Sequence, residues 1–188
     1  MTPAENLLLT RRCFFAAAGL GLAANAVRGG GPAATAADLP KAQLLADGDA
    51  KTYLLVFRSD QEVMRGLLAF ARKHRLVAGH LTGIGAVSDA VVGYFDPRSK
   101  TYIRETEKEQ AELLSITGNL ALDGDDPFFH IHVALGWSDG PARGGHLFEA
   151  TARPTVELVL TTYSKPIRRK ADAEWGLPLI DAVEPDAR

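Results

Sequence analysis

Thiols are almost missing from this chain: among 188 residues Cys13 is the single cysteine. No intrachain disulfide can form, so the fold must be held by packing or by association of subunits. An excess of one charge sign is missing too. Lys and Arg number 21 against 23 Asp and Glu, a formal net charge of −2, which is not the basic balance of a protein that grips nucleic-acid phosphates. Long hydrophobic runs are absent except for one N-terminal stretch ending at Val27. Glycines interrupt that stretch, and it is short for the roughly 30 Å of a bilayer core. There are no internal repeats and no nucleophile elbow. Gly83 and Gly85 lack the third glycine and following helix of a dinucleotide fingerprint. No motif names a reaction, so whether the chain is an enzyme stays open at this level.

What is present is an ordinary globular composition, 46% hydrophobic and 23% charged, long enough for one domain with a sizeable core. The N-terminus differs. Arg11 and Arg12 directly precede the apolar stretch, Arg28 and three glycines close it, and Ala34-Thr35-Ala36 forms a small-residue cleavage site. The paired arginines look like a twin-arginine export signal, with an ordinary secretory signal as nearest competitor. Cys13 is no lipid anchor, because Thr10-Arg11-Arg12 is not a small apolar box. The expectation is a signal peptide over residues 1–36, handled by the twin-arginine machinery through Arg11 and Arg12. The mature protein is then periplasmic or secreted, with no stable membrane insertion, no cysteine and a net charge of about −4.

Residues 37–50 read as a flexible polar leader, 51–181 as the folded domain and 182–188 as a polar tail. Residues 51–59 read as a first strand. Asp60, Gln61 and Glu62 offer a cap and acidic first turn, followed by the apolar stripe of Val63, Leu67, Leu68, Phe70 and Ala71. Residues 76–87 and 88–96 read as two strands, 101–104 as a short exposed one, and 112–122 and 128–137 as a pair joined by an Asp-Gly-Asp-Asp-Pro turn. Residues 154–163 give a late strand and 177–180 a short last one. Many strands with hairpin-like turns and one main helix, with shorter helical segments, predict an α+β fold with a mainly antiparallel sheet.

The segment around residues 128–135 carries a phase. Phe129, Ile131, Val133 and Leu135 alternate with His130 and His132, so a strand would put the apolar set on one face and both imidazoles on the other. His146, after Gly144 and Gly145, would be aimed by a positive-φ turn and complete a set of three. Three imidazoles with an open fourth position suit a divalent ion, zinc above all, though nickel, iron or copper use the same ligands. Two surface histidines and one turn histidine are the competing explanation.

Several segments together resemble the PPC domain, the plants-and-prokaryotes type. They are residues 82–90, Gly93-Tyr94-Phe95-Asp96, residues 113–119, His130-Ile131-His132-Val133, Gly144-Gly145-His146-Leu147 and Thr155-Val156-Glu157. The resemblance covers about residues 52–179. It implies a compact α+β fold and a homotrimer with the histidine segment near a subunit boundary. It also implies a metal ion at His130, His132 and His146, and says little about reaction or substrate; the functional expectation is an exported metal-binding protein that binds a small ligand at or near a subunit interface. Plant relatives join this domain to DNA-binding hooks, but no Arg-Gly-Arg-Pro hook occurs here, and an exported acidic protein makes nucleic acid an unlikely partner.

Other residues are read one by one. His80 is a fourth ligand, a hydrogen-bonding support for one, or a satisfied strand histidine. His74 stabilises a helix end. Glu149, three residues after His146, would share its face if that segment were helical and could serve as general base in a metal-dependent hydrolase; otherwise it faces solvent. Asp89 and Asp96 could close turns. Arg153 binds an anion or pairs with Glu157. Lys165, Arg168, Arg169 and Lys170 form a basic cluster best read as a solvated turn.

Overall fold

The computed structural model describes residues 35–182. The twin-arginine segment and the tail from 183 onward lie outside the described residues. The chain runs β1 (Lys41–Asp47), β2 (Ala50–Arg58), α1 (Val63–His74), β3 (Gly79–Asp96), β4 (Thr101–Glu107), β5 (Ala111–Asp123), β6 (Asp126–Gly136), β7 (Ala142–Tyr163), β8 (Arg168–Ala171) and β9 (Pro178–Ile180), after a 3-10 turn at Ala36–Asp38. All nine strands join one sheet. Every pairing is antiparallel except the short one between β5 and β8. The α+β class with a mainly antiparallel sheet is therefore as expected.

The sheet folds back on itself. β7 pairs with β6 through residues 142–146, and further along with β3 on one side and β2 on the other. Since β6 also pairs with β5, and β5 with β3, these four strands close a circuit. Such closure hides backbone groups that an open edge would leave unpaired. The enclosed apolar faces meet α1: Leu55, Phe57, Leu67, Ile116, Ile131 and Leu158 are all completely buried. Each such side chain contributes roughly 1.5–3 kcal/mol relative to an exposed position.

Helix α1 begins two residues later than Asp60 would suggest. Glu62 is its cap, accepting from Met64 N (3.0 Å) and Arg65 N (2.5 Å), which satisfies two of the amides a helix start leaves unpaired. The same carboxylate accepts from Ala150 N at 3.1 Å, so one side chain also ties the helix to β7. Burial nonetheless pushes the Glu62 carboxyl above its ordinary range. At the other end Arg72, Lys73 and His74 occupy the last turn, as the helix dipole favours, and the His74 ring also packs on Phe70, 4.3 Å between centroids.

Four local expectations are corrected. Residues 37–50 are not a loose leader: β1 occupies 41–47 and pairs with β2. All seven of its side chains are exposed, so no hydrophobic alternation betrays a strand that main-chain bonding alone defines. Residues 76–87 and 88–96 form one continuous strand, β3, whose register shifts near Gly83 and again at 85–92 let it bend without breaking. The region of Gly144-Gly145-His146 is strand rather than turn, and the basic cluster supplies β8. Expected outcome: Glu62→Ala, which removes the cap and orphans Ala150 N–H, lowers the unfolding free energy by about 1–3 kcal/mol in chemical denaturation.

Candidate metal centre

Strand phase places the first two histidines. Phe129, Ile131, Val133 and Leu135 are 7% exposed or less, which pins that face of β6 to the core and turns His130 and His132 outward. Their Nε2 atoms stand 3.2 Å apart. His146 comes from the neighbouring strand, directly opposite His132 in the antiparallel register, and residues so paired project to the same side of a sheet. Ring centroids are 5.0 Å apart for His130 and His132, 5.1 Å for His130 and His146, and 5.7 Å for His132 and His146. One ring nitrogen from each of the three lies within 4.8 Å of the other two.

Gly144 and Gly145 make the approach of β7 feasible, though not through a positive-φ turn. A Cβ on Gly144 would collide with the Val133 carbonyl of β6, and one on Gly145 would lie 2.5 Å from the Gly93 carbonyl of β3. Both glycines are needed because the chain threads closely between two strands just before His146.

The protonation states suit a set of metal ligands. Burial holds the His130 imidazole at about 4 and the His146 imidazole at about 3, with the Arg169 guanidinium adding to both and Arg104 to the second. Both rings are therefore neutral at pH 7, the form that ligates. His146 is 7% exposed, and its Nδ1 is buried without a hydrogen-bond partner. An orphaned imidazole nitrogen of this kind costs about 1–3 kcal/mol. Three nitrogen donors, one ring of which carries an unsatisfied buried nitrogen, fit a tetrahedral ion with one position open to solvent or ligand.

The remaining candidates separate. His80 stands apart: its Nδ1 meets the Tyr163 hydroxyl at 2.9 Å, and the two rings stack at 5.9 Å, so it is a satisfied strand residue. Glu149 lies on β7, not on a helix. It is exposed, and no carboxylate joins the three imidazoles among the described residues. Asp96 closes the β3–β4 turn, accepting from Arg98 N and Ser99 Oγ at 3.0 Å each. Asp89 accepts from Ser88 and Thr151 hydroxyls. Arg153 is exposed, and no ion pair joins it to Glu157 among the described residues.

Sequence reasoning missed Arg169. β8 pairs with the end of β5, opposite Asp123, and carries Arg169 to the histidine cluster. Its Nη1 donates to Pro178 O at 2.8 Å and its Nη2 to Asn119 Oδ1 at 2.7 Å, while the guanidinium lies 4.6 Å from the Phe128 ring centroid. Tyr102, 4.9 Å from the His146 ring, was also missed. Together Tyr102, Phe128, His130, His146, Arg169 and residues 177–179 line a cavity of about 60 Å³. The local sequence around Arg169, three consecutive basic residues at 168–170, carries no alternation that would mark one of them as inward-facing.

The sequence profile of the Plants and Prokaryotes Conserved (PCC) domain matches residues 45–164. The chain belongs to this family. A solved metal-containing protein from Archaeoglobus fulgidus is 32% identical, with a TM-score of 0.65 over 76% of this chain and 97% of that one. A plant- and prokaryote-conserved protein from Pyrococcus horikoshii is 29% identical, with a TM-score of 0.67 over 77% and 97%. A candidate DNA-binding protein from Bacteroides thetaiotaomicron is 29% identical, with a TM-score of 0.69 over 74% and 96%. No functionally curated protein matches.

The depressed imidazoles set a pH dependence for the metal-free protein. Unfolded histidines take up protons near 6.5, whereas folded His130 and His146 resist until about 4 and about 3. The unfolded state thus binds more protons in that window, so stability present above 6.5 is lost as pH falls through it. Thermal unfolding of chelator-treated protein from pH 7.5 to 4 is expected to show a falling Tm, with a shallower fall in His130→Gln.

Proposed function

We propose that this protein is an exported, metal-binding member of its family whose His130, His132 and His146 hold one divalent ion, zinc, and present it to a small ligand. The convergence of three ring nitrogens within 4.8 Å carries this reading. The Archaeoglobus relative, named as metal-containing, supports it. When bound, the ion would supply Lewis acidity at its open position. This chain's residues keep the His130 and His146 imidazoles neutral, fix all three rings on two paired strands and pack Phe148 against His146.

Two further elements belong to the same reading. Ile84 and Leu114, both more than half exposed, border one concave surface, which favours a homotrimer as the resemblance implies. A monomer in sedimentation equilibrium of the metal-loaded protein would remove that element. The twin-arginine pair supports export to the periplasm or beyond, by a route that carries folded and metal-loaded proteins. Arg11→Lys with Arg12→Lys is expected to leave the protein in the cytoplasmic fraction; unchanged export would remove the twin-arginine assignment.

A DNA-binding role, the label carried by the Bacteroides relative, has less support here. Of the basic cluster, Arg169 lines the cavity and Arg168 donates to Gly124 O, so among the described residues that cluster forms no continuous basic stripe for a phosphate backbone. A hydrolase using Glu149 as base lacks that base at the cluster. The decisive measurement is metal content of protein purified without an affinity tag. One zinc per chain is expected, lost in His130→Ala with His132→Ala. Zinc at a hundredfold excess over its Kd should stabilise the wild type by about 2.7 kcal/mol.

A further inference from the structure

The cavity beside the histidines has properties that the metal alone does not require. Its volume, about 60 Å³, holds roughly four to six water-sized atoms, far below a nucleotide or sugar. One wall is cationic: Arg169 is half-buried, and its Nε is buried without a hydrogen-bond partner. Another wall is imidazole, from His130 and His146. The rest is Tyr102, Phe128 and the apolar Leu177-Pro178-Leu179 segment.

We infer that this cavity is a subsite for a small organic carboxylate of about four to six heavy atoms, its anionic group held by Arg169 and its short apolar part against Phe128 and Leu179. The inference deepens the proposed function and rests on it for the metal, but Arg169 and the cavity do not depend on an ion. A carboxylate fits better than phosphate for three reasons. Arg169 already gives Nη1 to Pro178 O and Nη2 to Asn119 Oδ1, so few donors remain for a third partner. A dianion with four oxygens would need more donors than one guanidinium and one phenol supply. The apolar walls favour a ligand with carbon next to its charge.

The test uses L-lactate and its neutral isostere lactamide as probes of the full mature chain, with metal content measured first. In zinc-loaded wild type, calorimetry should show saturable lactate binding and at least tenfold weaker lactamide binding. Arg169→Gln should keep its metal and its Tm within a few degrees yet bind lactate ten- to a hundredfold more weakly, the range for a lost charged hydrogen bond. Arg169→Lys, which keeps charge without the planar fork, should fall between. Should Arg169→Gln not fold, the lactate–lactamide comparison repeated on metal-free wild type decides the matter, because no ion is then present to prefer the carboxylate. Equal affinities there, equal lactate binding by wild type and a folded Arg169→Gln, or phosphate outcompeting lactate at equal concentration would each overturn the subsite. Absence of metal from the wild type would instead overturn the proposed function. Arg169-dependent lactate binding by that metal-free protein would still uphold the subsite.

Discussion

Everything at the candidate centre depends on the register between β6 and β7. Ile131 and Val133 are pinned inside, so His130 and His132 must point out, and pairing His132 with His146 brings the third ring to the same side. A slip of one residue would push imidazoles into the core and Ile131 into solvent, at a cost of several kcal/mol. The apolar core therefore does more than stabilise the domain. It fixes the positions of three polar groups that could not hold themselves together, since burial of neutral imidazoles is unfavourable unless something satisfies their nitrogens.

The glycines serve the same constraint from the backbone side. β7 changes partners along its length, pairing with β6 at its start and with β3 and β2 later. His146 sits where the exchange happens, opposite both His132 and Gly93. Side chains at 144 and 145 would hold the neighbouring strands apart, so the two residues before His146 are the smallest available. The exchange of partners thus closes the sheet and assembles the cluster at one place.

Much of this was legible in local sequence, and the rest was not for identifiable reasons. Alternation in 128–135 exposes both the buried face and the outward histidines because each signal lies within one strand. The helix is legible from its apolar stripe, but its cap shifts from Asp60 to Glu62 because Glu62 also serves Ala150, a contact 88 residues away. Gly144-Gly145 reads as a turn because glycine pairs usually are turns; only the proximity of Val133 and Gly93 makes them a strand. β1 buries no side chain, so its strand character lives in main-chain pairing alone. Arg169 looked like one of four solvated charges because its partners, Asn119, Phe128 and Pro178, are brought in by parallel pairing of β8 with β5, which no local pattern encodes.

The two arginines near the cluster explain why its surroundings stay electropositive. Arg104 lies 3.8 Å from the Phe148 ring centroid and Arg169 lies 4.6 Å from that of Phe128. Ring faces attract a guanidinium by about 0.5–2 kcal/mol without cancelling its charge, unlike a carboxylate in direct contact. Both charges therefore still act on His146, and Arg169 also on His130. With burial, they hold these rings unprotonated at neutral pH, which leaves the nitrogens free to ligate; the same field repels a divalent ion as well, so binding would rest on the three nitrogen–metal bonds. A divalent ion added to this field raises its positive potential further, which disfavours a second cation and favours an anion at the open position. An anion entering through the cavity that Tyr102, Phe128 and Arg169 leave beside the cluster would offset this charge, which is the electrostatic basis of the subsite inferred there.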